Sequence, residues 1–453
     1  MLRLHDTALG RVTDLSLREE GKVSMYVCGP TVYDVPHIGH GRFVLVWDLL
    51  RRYLEWRGLE VRYVSNITDI EDKIIRKANE DGISTEEVVR TYEKAWWDAM
   101  DRLGVLHPDE EPHATAYVER MVDYIAGLID SDHAYATSDG VYFDTASLDG
   151  YGLLARQSLE SLRAGGGDRT VVGEDEKRSA LDFALWKKAK PGEPEWESPW
   201  GAGRPGWHIE CTVMALDLLG EDFDLHGGGN DLTFPHHENE RAQALGAGRK
   251  FARYWVHSGM VVAEGGEKMS KSLNNFVSLT DMLERVDGRA YRLLVLQSHY
   301  RGPLQVTQNT IDQAERSLAG LDALARRFAG VKPAPAHTES VERFTGFLDD
   351  DFNTPRAMAV VFDLVRDANA ADDRGDRAVA ESLAATVLEL TSAVGLVLQA
   401  GDADVDPETE ALVAARDAAR ASRDFSRADE IRDELVARGW TVEDTAGGTR
   451  VHR

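Results

Sequence analysis

At 453 residues, with 43% apolar residues and a net charge of −26, the chain is long enough for two to four domains and at least one large core. No apolar run approaches the ~20 residues needed to cross a bilayer, and the first residues carry no signal-peptide pattern, so the expected location is the cytoplasm, away from any membrane. The acidity disfavours a nonspecific nucleic-acid binder and leaves room for a local basic stripe.

Residues 1–20 read as an edge strand and loop. Val23 to Val27 reads as a buried strand, with Cys28 at its carboxyl end and Gly29 and Pro30 ending it. Pro36 is placed to open a helix that runs to Arg57, with Val44, Trp47, Leu50 and Leu54 at helical spacing and Gly58 as its stop. His37 and His40 share one face of the first turn, where free N–H groups and a partial positive charge suit the phosphates of a nucleotide. The plain alternative is a pair of capping histidines. Glu60 to Thr68 reads as a strand and Asp69 to Asn79 as a helix, so 22–80 form a βαβ unit. Asn66, Thr68 and Asp69 then stand where open parallel sheets bind ligands.

Residues 84–133 read as helical, with Trp96, Trp97, Met100 and Leu103 on an apolar face. Residues 134–205 turn irregular, with a short strand at Val141 to Asp144 and runs rich in glycine and proline, and read as an insertion that interrupts the sheet. The sheet is expected to resume near Gly206 to Cys211, with a helix from Thr212 to Leu219. Phe223 to His226 reads as a strand, and Gly227 to Gly229 would let a ligand approach the backbone. Phe234 to Leu245 reads as a helix and Tyr254 to Ala263 as a strand, followed by a charged loop, Glu264 to Asn275. From 280 onward the pattern is helical, with linkers at 331–337 and 399–408 and a small terminal unit at 407–453.

Three groups of residues carry chemistry. Lys268-Met-Ser-Lys-Ser272 sets two lysines and two hydroxyls in a loop that can close over a triphosphate; a solvated basic turn is the alternative. Cys28 and Cys211 are the only cysteines, and in a reducing compartment metal binding or catalysis is a better use than a disulfide. His236 and Glu240 are i and i+4 on one helical face, whereas His237 would pair with Arg241, which is no ligand. Two thiolates, an imidazole and a carboxylate suit zinc; inert buried thiols are the alternative. Arg416, Arg420, Arg423 and Arg427 follow at steps that make one helical stripe, a face for phosphates or simply a solvated surface, and Trp440 could stack on a base.

His37-Ile-Gly-His40 together with Lys268 to Ser272 resembles the class I aminoacyl-tRNA synthetases. Tyr26 to Tyr33, Asn66 to Asp72, Arg204 to Cys211, His226 to Asp231, Phe234 to Glu240, Asp349 to Pro355 and Val442 to Thr449 are similar to the cysteinyl-tRNA synthetases in particular. Asn230 stands where that family often has serine, and Asn274 where glycine often follows the lysine loop.

The resemblance implies an α/β fold. A Rossmann-like parallel-sheet catalytic domain would span 1–120 and 205–279, with a connective insertion at 121–204. A stem-contact and helical-bundle domain would follow at 280–400, and an anticodon-binding domain at 407–453. It implies cysteine activation by ATP with Mg2+, then transfer to tRNA(Cys), by a monomer holding one zinc. Cys28, Cys211, His236 and Glu240 would be the ligands. His37, Gly39, His40, Asp231, Lys268 and Lys271 would serve ATP, with His37, His40, Lys268 and Lys271 catalytic. Gly29, Thr31, Thr68, Trp207 and His226 would line the amino-acid pocket, and the C-terminal arginines with Trp440 would touch tRNA. A ligase joining cysteine to an amino sugar is the alternative, and it would need no anticodon unit.

Overall fold

The computed structural model describes residues 2–157, 176–262, 278–330, 335–400, 407–445 and 448–452. These fall into two compact units. The first comprises Met1–Glu315, Glu339–Val361 and Ala393–Leu396, and the second Arg316–Thr338, Phe362–Ser392 and Val397–Arg453.

The first unit opens with an antiparallel pair, β1 (Arg3–Asp6) and β2 (Arg11–Asp14). Next come β3 (Lys22–Val27), α1 (Ile38–Trp56) and β4 (Glu60–Ser65), the βαβ unit that the sequence predicts. Five successive residues of β3, Val23 to Val27, are buried, as a strand covered on both faces requires. Gly58, in the left-handed region at φ 83°, terminates α1. Helices α2 (Asp72–Asp81), α3 (Thr85–Arg102) and α4 (Val118–Asp130) follow.

The insertion is an antiparallel sheet of β5 (Ala134–Ala136), β6 (Gly140–Phe143), β7 (Phe183–Lys188) and β8 (Gly203–Pro205), in chain order. Its inner face is continuous with the main core, where Phe143, Leu185 and Trp186 pack with Ile209, Cys211 and Met214. Then come α5 (Trp207–Leu219), β9 (Leu225–Gly229), α6 (Glu238–Gly246), β10 (Tyr254–Ser258) and β11 (Val261–Val262). The central sheet is parallel throughout, in the order β10-β9-β3-β4.

Two expectations about this part of the chain are corrected here. Residues 206–211 are not a strand: β8 belongs to the insertion, α5 begins at Trp207, and the parallel sheet resumes only at β9. Ile209, Val213 and Leu216 follow helical spacing, which outweighs the strand propensity of this short run. Gly227 and Gly228 lie inside β9 and make room for protein side chains. A Cβ would stand 2.7 Å from the Trp47 ring at Gly227 and 2.3 Å from the His237 ring at Gly228.

Beyond β11 the chain is helical as expected: α7 (Leu279–Leu283), α8 (Gly288–Leu296), then β12 (Leu304–Gln305), α9 (Gln308–Arg327), α10 (Thr338–Asp349), α11 (Thr354–Asp373) and α12 (Arg377–Ala393). The C-terminal segment pairs α13 (Pro407–Ala421) with α14 (Phe425–Ala437) and a hairpin of β13 (Thr441–Thr445) and β14 (Gly448–His452). Ile431, Leu435, Trp440 and Val451 form its core.

The single arginine stripe does not form. Arg416 and Arg420 are on α13, Arg423 sits between the helices at φ 62°, and Arg427 is on α14. A left-handed residue turns the chain, so the spacing does not continue across it. Arg416 is buried and donates from Nη1 to Thr449 Oγ1 at 2.6 Å, and Trp440 is a core residue with no free face for a base.

Glu111 offers a pH test of the first unit. Burial, and then the Glu93 carboxylate, push its carboxyl up from 4.5 to about 7. A raised carboxyl makes folding cost more as pH rises from 4.5 through 7, and the cost vanishes below the unfolded value. Glu111→Gln is therefore expected to raise the melting temperature at pH 8 and leave it unchanged near pH 4, as followed by circular dichroism. Equal shifts at both pH values would contradict this.

Candidate active site and metal centre

The amino end of α1 is built by its two histidines. His37 is the N-cap: its Nδ1 accepts from the His40 backbone N–H at 3.2 Å, while the His37 N–H donates to His40 Nδ1 at 3.2 Å. The rings stack at 3.6 Å, and His40 leans on Trp96 with centroids 5.4 Å apart. Desolvation, reinforced by His37 and Lys73, pushes His40 down to about 3, so it stays a neutral imidazole. Capping and phosphate binding are compatible uses of this turn. The cap preorganises the N–H groups, and the helix dipole favours an anion there.

One step along the sheet lies a fully buried cluster. Cys28 continues β3, its N–H donating to the Gly227 carbonyl at 3.3 Å. Cys211 is on α5, one turn beyond Trp207, and His236 and Glu240 stand either side of the start of α6. One ligand atom each from Cys28, Cys211, His236 and Glu240 lies within 4.8 Å of the others. Cys28 Sγ is 3.4 Å from Glu240 Oε1, and His236 Nε2 is 3.1 Å from the same oxygen. His236 Nε2 is completely buried and makes no hydrogen bond. Burial, then contact with Cys211, drives the Cys28 thiol well up. At Cys211 the contact with Cys28 pulls the thiol down, but burial and Glu240 push it up further. Burial likewise drives His236 well down. Protonated thiols and a neutral imidazole whose Nε2 makes no hydrogen bond, around one point, are what a divalent cation resolves by taking them as thiolate and lone-pair donors. The donor set fits zinc.

Residues around the cluster hold it in place. His208 Nδ1 and His236 Nδ1 are 2.8 Å apart, which turns Nε2 of His236 toward the cluster. His226 Nε2 contacts Glu240 Oε2 at 2.7 Å. Trp207 is 38% exposed and stacks on His236 at 4.1 Å, so it lies between His236 and solvent.

The strand ends lie beside the cluster. Asn66 Oδ1 accepts from the Gly29 N–H at 3.0 Å and from the Tyr26 hydroxyl at 3.1 Å, and its amide donates to Thr68 Oγ1 at 3.1 Å. Thr68 Oγ1 in turn donates to Glu210 Oε2 at 3.3 Å. Burial, with Asp69, holds the Glu210 carboxyl well above its usual range. Thr31 bridges Thr68 in parallel register. Gly29 must be glycine, because a Cβ there would meet the Asn66 carbonyl oxygen at 1.6 Å. Gly39 lies against the His37 ring, and Asp231 is exposed in the turn after β9.

Comparison with known proteins gives the family. Residues 15–316 match the model for the tRNA synthetases class I (C) catalytic domain, 343–399 the DALR domain, and 402–451 the cysteinyl-tRNA ligase anticodon binding domain. A cysteine–tRNA ligase of Halorhodospira halophila is 46% identical over 465 residues, covering 100% of each chain. One of Azotobacter vinelandii is 48% identical over 447 residues, covering 95% of each.

The chain belongs to the cysteinyl-tRNA synthetase family.

Among solved structures, Mycobacterium tuberculosis methionyl-tRNA synthetase in complex with methionyl-adenylate matches with a TM-score of 0.61 at 17% identity, over 82% of this chain and 89% of that one. That likeness carries the class I fold alone. Within this cysteinyl-tRNA synthetase chain the structure brings Cys28, Cys211, His236, Glu240, His226 and Trp207 together, with Gly29, Thr31 and Thr68 beside them. Lys268 and Lys271 fall outside the described residues. His208, His237, His257 and Asn66 also build the site. The position of Asn66 at a strand end was the sequence signal for it; the three histidines come from separate elements, and no sequence interval pointed to them.

Proposed function

We propose that this chain joins L-cysteine to tRNA(Cys) in two steps, with ATP and Mg2+. The single observation that carries the reading is the buried cluster of Cys28, Cys211, His236 and Glu240 beside a class I nucleotide-binding helix start. In the first step the cysteine carboxylate attacks the α-phosphate of ATP and pyrophosphate leaves. In the second a hydroxyl of the tRNA's terminal adenosine takes the acyl group from the adenylate, and AMP leaves.

The side chains act by positioning and by electrostatics. His37 and His40, with the backbone at Gly39, receive the phosphates. Asp231 takes the ribose or the substrate amine. Lys268 and Lys271 neutralise charge that develops on the triphosphate. Trp207 covers the amino acid, and Gly29, Thr31, Thr68 and His226 shape its pocket. Cys28, Cys211, His236 and Glu240 would hold one zinc, which, when bound, supplies a soft acceptor for the substrate thiol that a serine hydroxyl fills poorly. A site of that kind separates cysteine from serine by about 10⁴-fold without an editing domain.

Segments 1–120 and 205–279 then form the catalytic domain, 121–204 the connective insertion, 280–400 the stem-contact bundle and 407–453 the anticodon unit. Arg420, Arg423 and Arg427 are the remaining candidates for tRNA contacts in that unit. The protein works as a cytoplasmic monomer in this reading. An amino-sugar ligase would have no use for residues that match an anticodon-binding domain. Charging of tRNA(Cys) by the purified protein tests the reading, and cysteine transfer to an amino sugar in its place would reject it.

Lys271→Ala is expected to slow adenylate formation by about 10²-fold while leaving cysteine affinity near its original value, because its role is confined to the transition state. Single-turnover kinetics over a cysteine series measures both. A matching loss of affinity would remove Lys271 from this role.

A further inference from the structure

The four-ligand cluster leaves two fully buried histidines, His226 and His237, facing the same two ligands from the other side. Cys28 Sγ is 3.4 Å from Glu240 Oε1 and also 3.4 Å from His237 Nε2. The second oxygen of Glu240 is 2.7 Å from His226 Nε2. One ligand atom each from Cys28, His226, His237 and Glu240 also falls within 4.8 Å of the others. Ligands sharing one tetrahedral ion at ~2.0–2.3 Å stand ~3.3–3.8 Å from one another. Both 3.4 Å separations suit a common ion, and the 2.7 Å hydrogen-bond contact between His226 and Glu240 has to open, with Glu240 Oε1 at 4.0 Å from His237 Nε2 drawing in, for all four to bind it.

The second histidine pair is also braced as metal ligands are. His237 Nδ1 meets His257 Nε2 at 2.9 Å, and His257 Nδ1 meets Thr7 Oγ1 at 2.7 Å. A proton on each Nδ1 satisfies both contacts and leaves the lone pair of His237 Nε2 toward Cys28. His226 is held in place by Trp255, its ring stacked at 4.7 Å, and its own Nδ1 is buried without a partner.

We infer that the site offers two overlapping seats to one zinc-type ion, with Cys28 and Glu240 common to both. The front seat is completed by Cys211 and His236, beneath Trp207. The rear seat is completed by His226 and His237. In this proposal one ion occupies one seat or the other, with Cys28 and Glu240 serving whichever is filled. The rear seat holds the ion whenever Cys211 or His236 cannot bind it. This rests on the reading of the cluster as a metal centre, and it separates metal retention from catalysis: a protein with the ion at the rear keeps its metal and has lost the thiol-selecting position.

Cobalt substitution tests it, because sulfur-to-cobalt charge transfer reports the number of thiolates. Wild type loaded with Co2+ is expected to show a two-thiolate tetrahedral spectrum; no cobalt uptake at all would reject the metal centre itself, and this inference with it. His236→Ala is expected to retain about one ion per chain after dialysis, with charge-transfer intensity about half that of wild type. Loss of the ion, or an undiminished two-thiolate band, would overturn the rear seat while leaving the metal centre standing. Cys211→Ala combined with His236→Ala is expected to keep the ion, and adding His237→Ala to release it. Retention in the triple variant would overturn the proposal. Circular dichroism checks that each variant is folded, and the single His236→Ala variant decides the matter should the triple variant not fold.

Discussion

Cys28→Ala is expected to empty the metal site and lower cysteine-dependent ATP–pyrophosphate exchange by about 10³-fold. Cys28 is the thiol at the junction of strand and site. It continues β3, it is 3% exposed, and it lies against both Glu240 and His237. No other cysteine can replace it, since Cys211 is fixed on α5. Alanine preserves the backbone bond to Gly227, so the sheet survives. His37 and His40 lie on a different element, so ATP binding persists. The loss then falls on cysteine recognition. Metal analysis and exchange assays on one sample check it. A variant that keeps about one ion per chain and near-normal exchange would show that Cys28 is not a ligand.

The second large effect is on stability. Asp48 on α1 is buried, and its Oδ2 accepts from Arg292 Nη1 at 2.5 Å and from Arg52 Nε at 2.9 Å, while Oδ1 accepts from the Leu106 N–H at 2.9 Å. Arg292 is itself only 1% exposed and donates further to the carbonyls of Leu103 and Gly104. Asp48→Ala removes the one carboxylate that, among the described residues, pairs with Arg292, and strands a buried guanidinium. Breaking such a pair costs about 3–5 kcal/mol, far more than the net worth of the intact pair. Urea unfolding of the first unit measures it. A change below about 1 kcal/mol would mean that water reaches Arg292 once Asp48 is gone.

The legible parts of the sequence were those where local pattern and tertiary role coincide. The β3–α1–β4 unit carries a buried apolar strand, Pro36, helical spacing and Gly58, all pointing to one structure. His236 and Glu240 were legible because i,i+4 spacing fixes a shared face whatever surrounds it. The helix at Trp207 was hidden because the turn-rich run before it resembles an approach to a strand, and only the pairing of β8 with β7 shows where the insertion ends. In the sequence the glycines of β9 leave room for a ligand; which ring fills that room is a long-range fact supplied by Trp47 and His237. The arginine stripe failed because uninterrupted spacing implies an uninterrupted helix, and the left-handed turn at Arg423 breaks it. His226, His237 and His257 come from three elements, and no sequence interval reveals that they converge.

The most direct measurement is ATP–pyrophosphate exchange by the purified protein with cysteine and with serine, before and after complete zinc removal. Exchange that depends on cysteine, exceeds that with serine by about 10⁴-fold and disappears with the metal is the predicted result. Exchange that survives metal removal with its preference for cysteine intact would contradict the account.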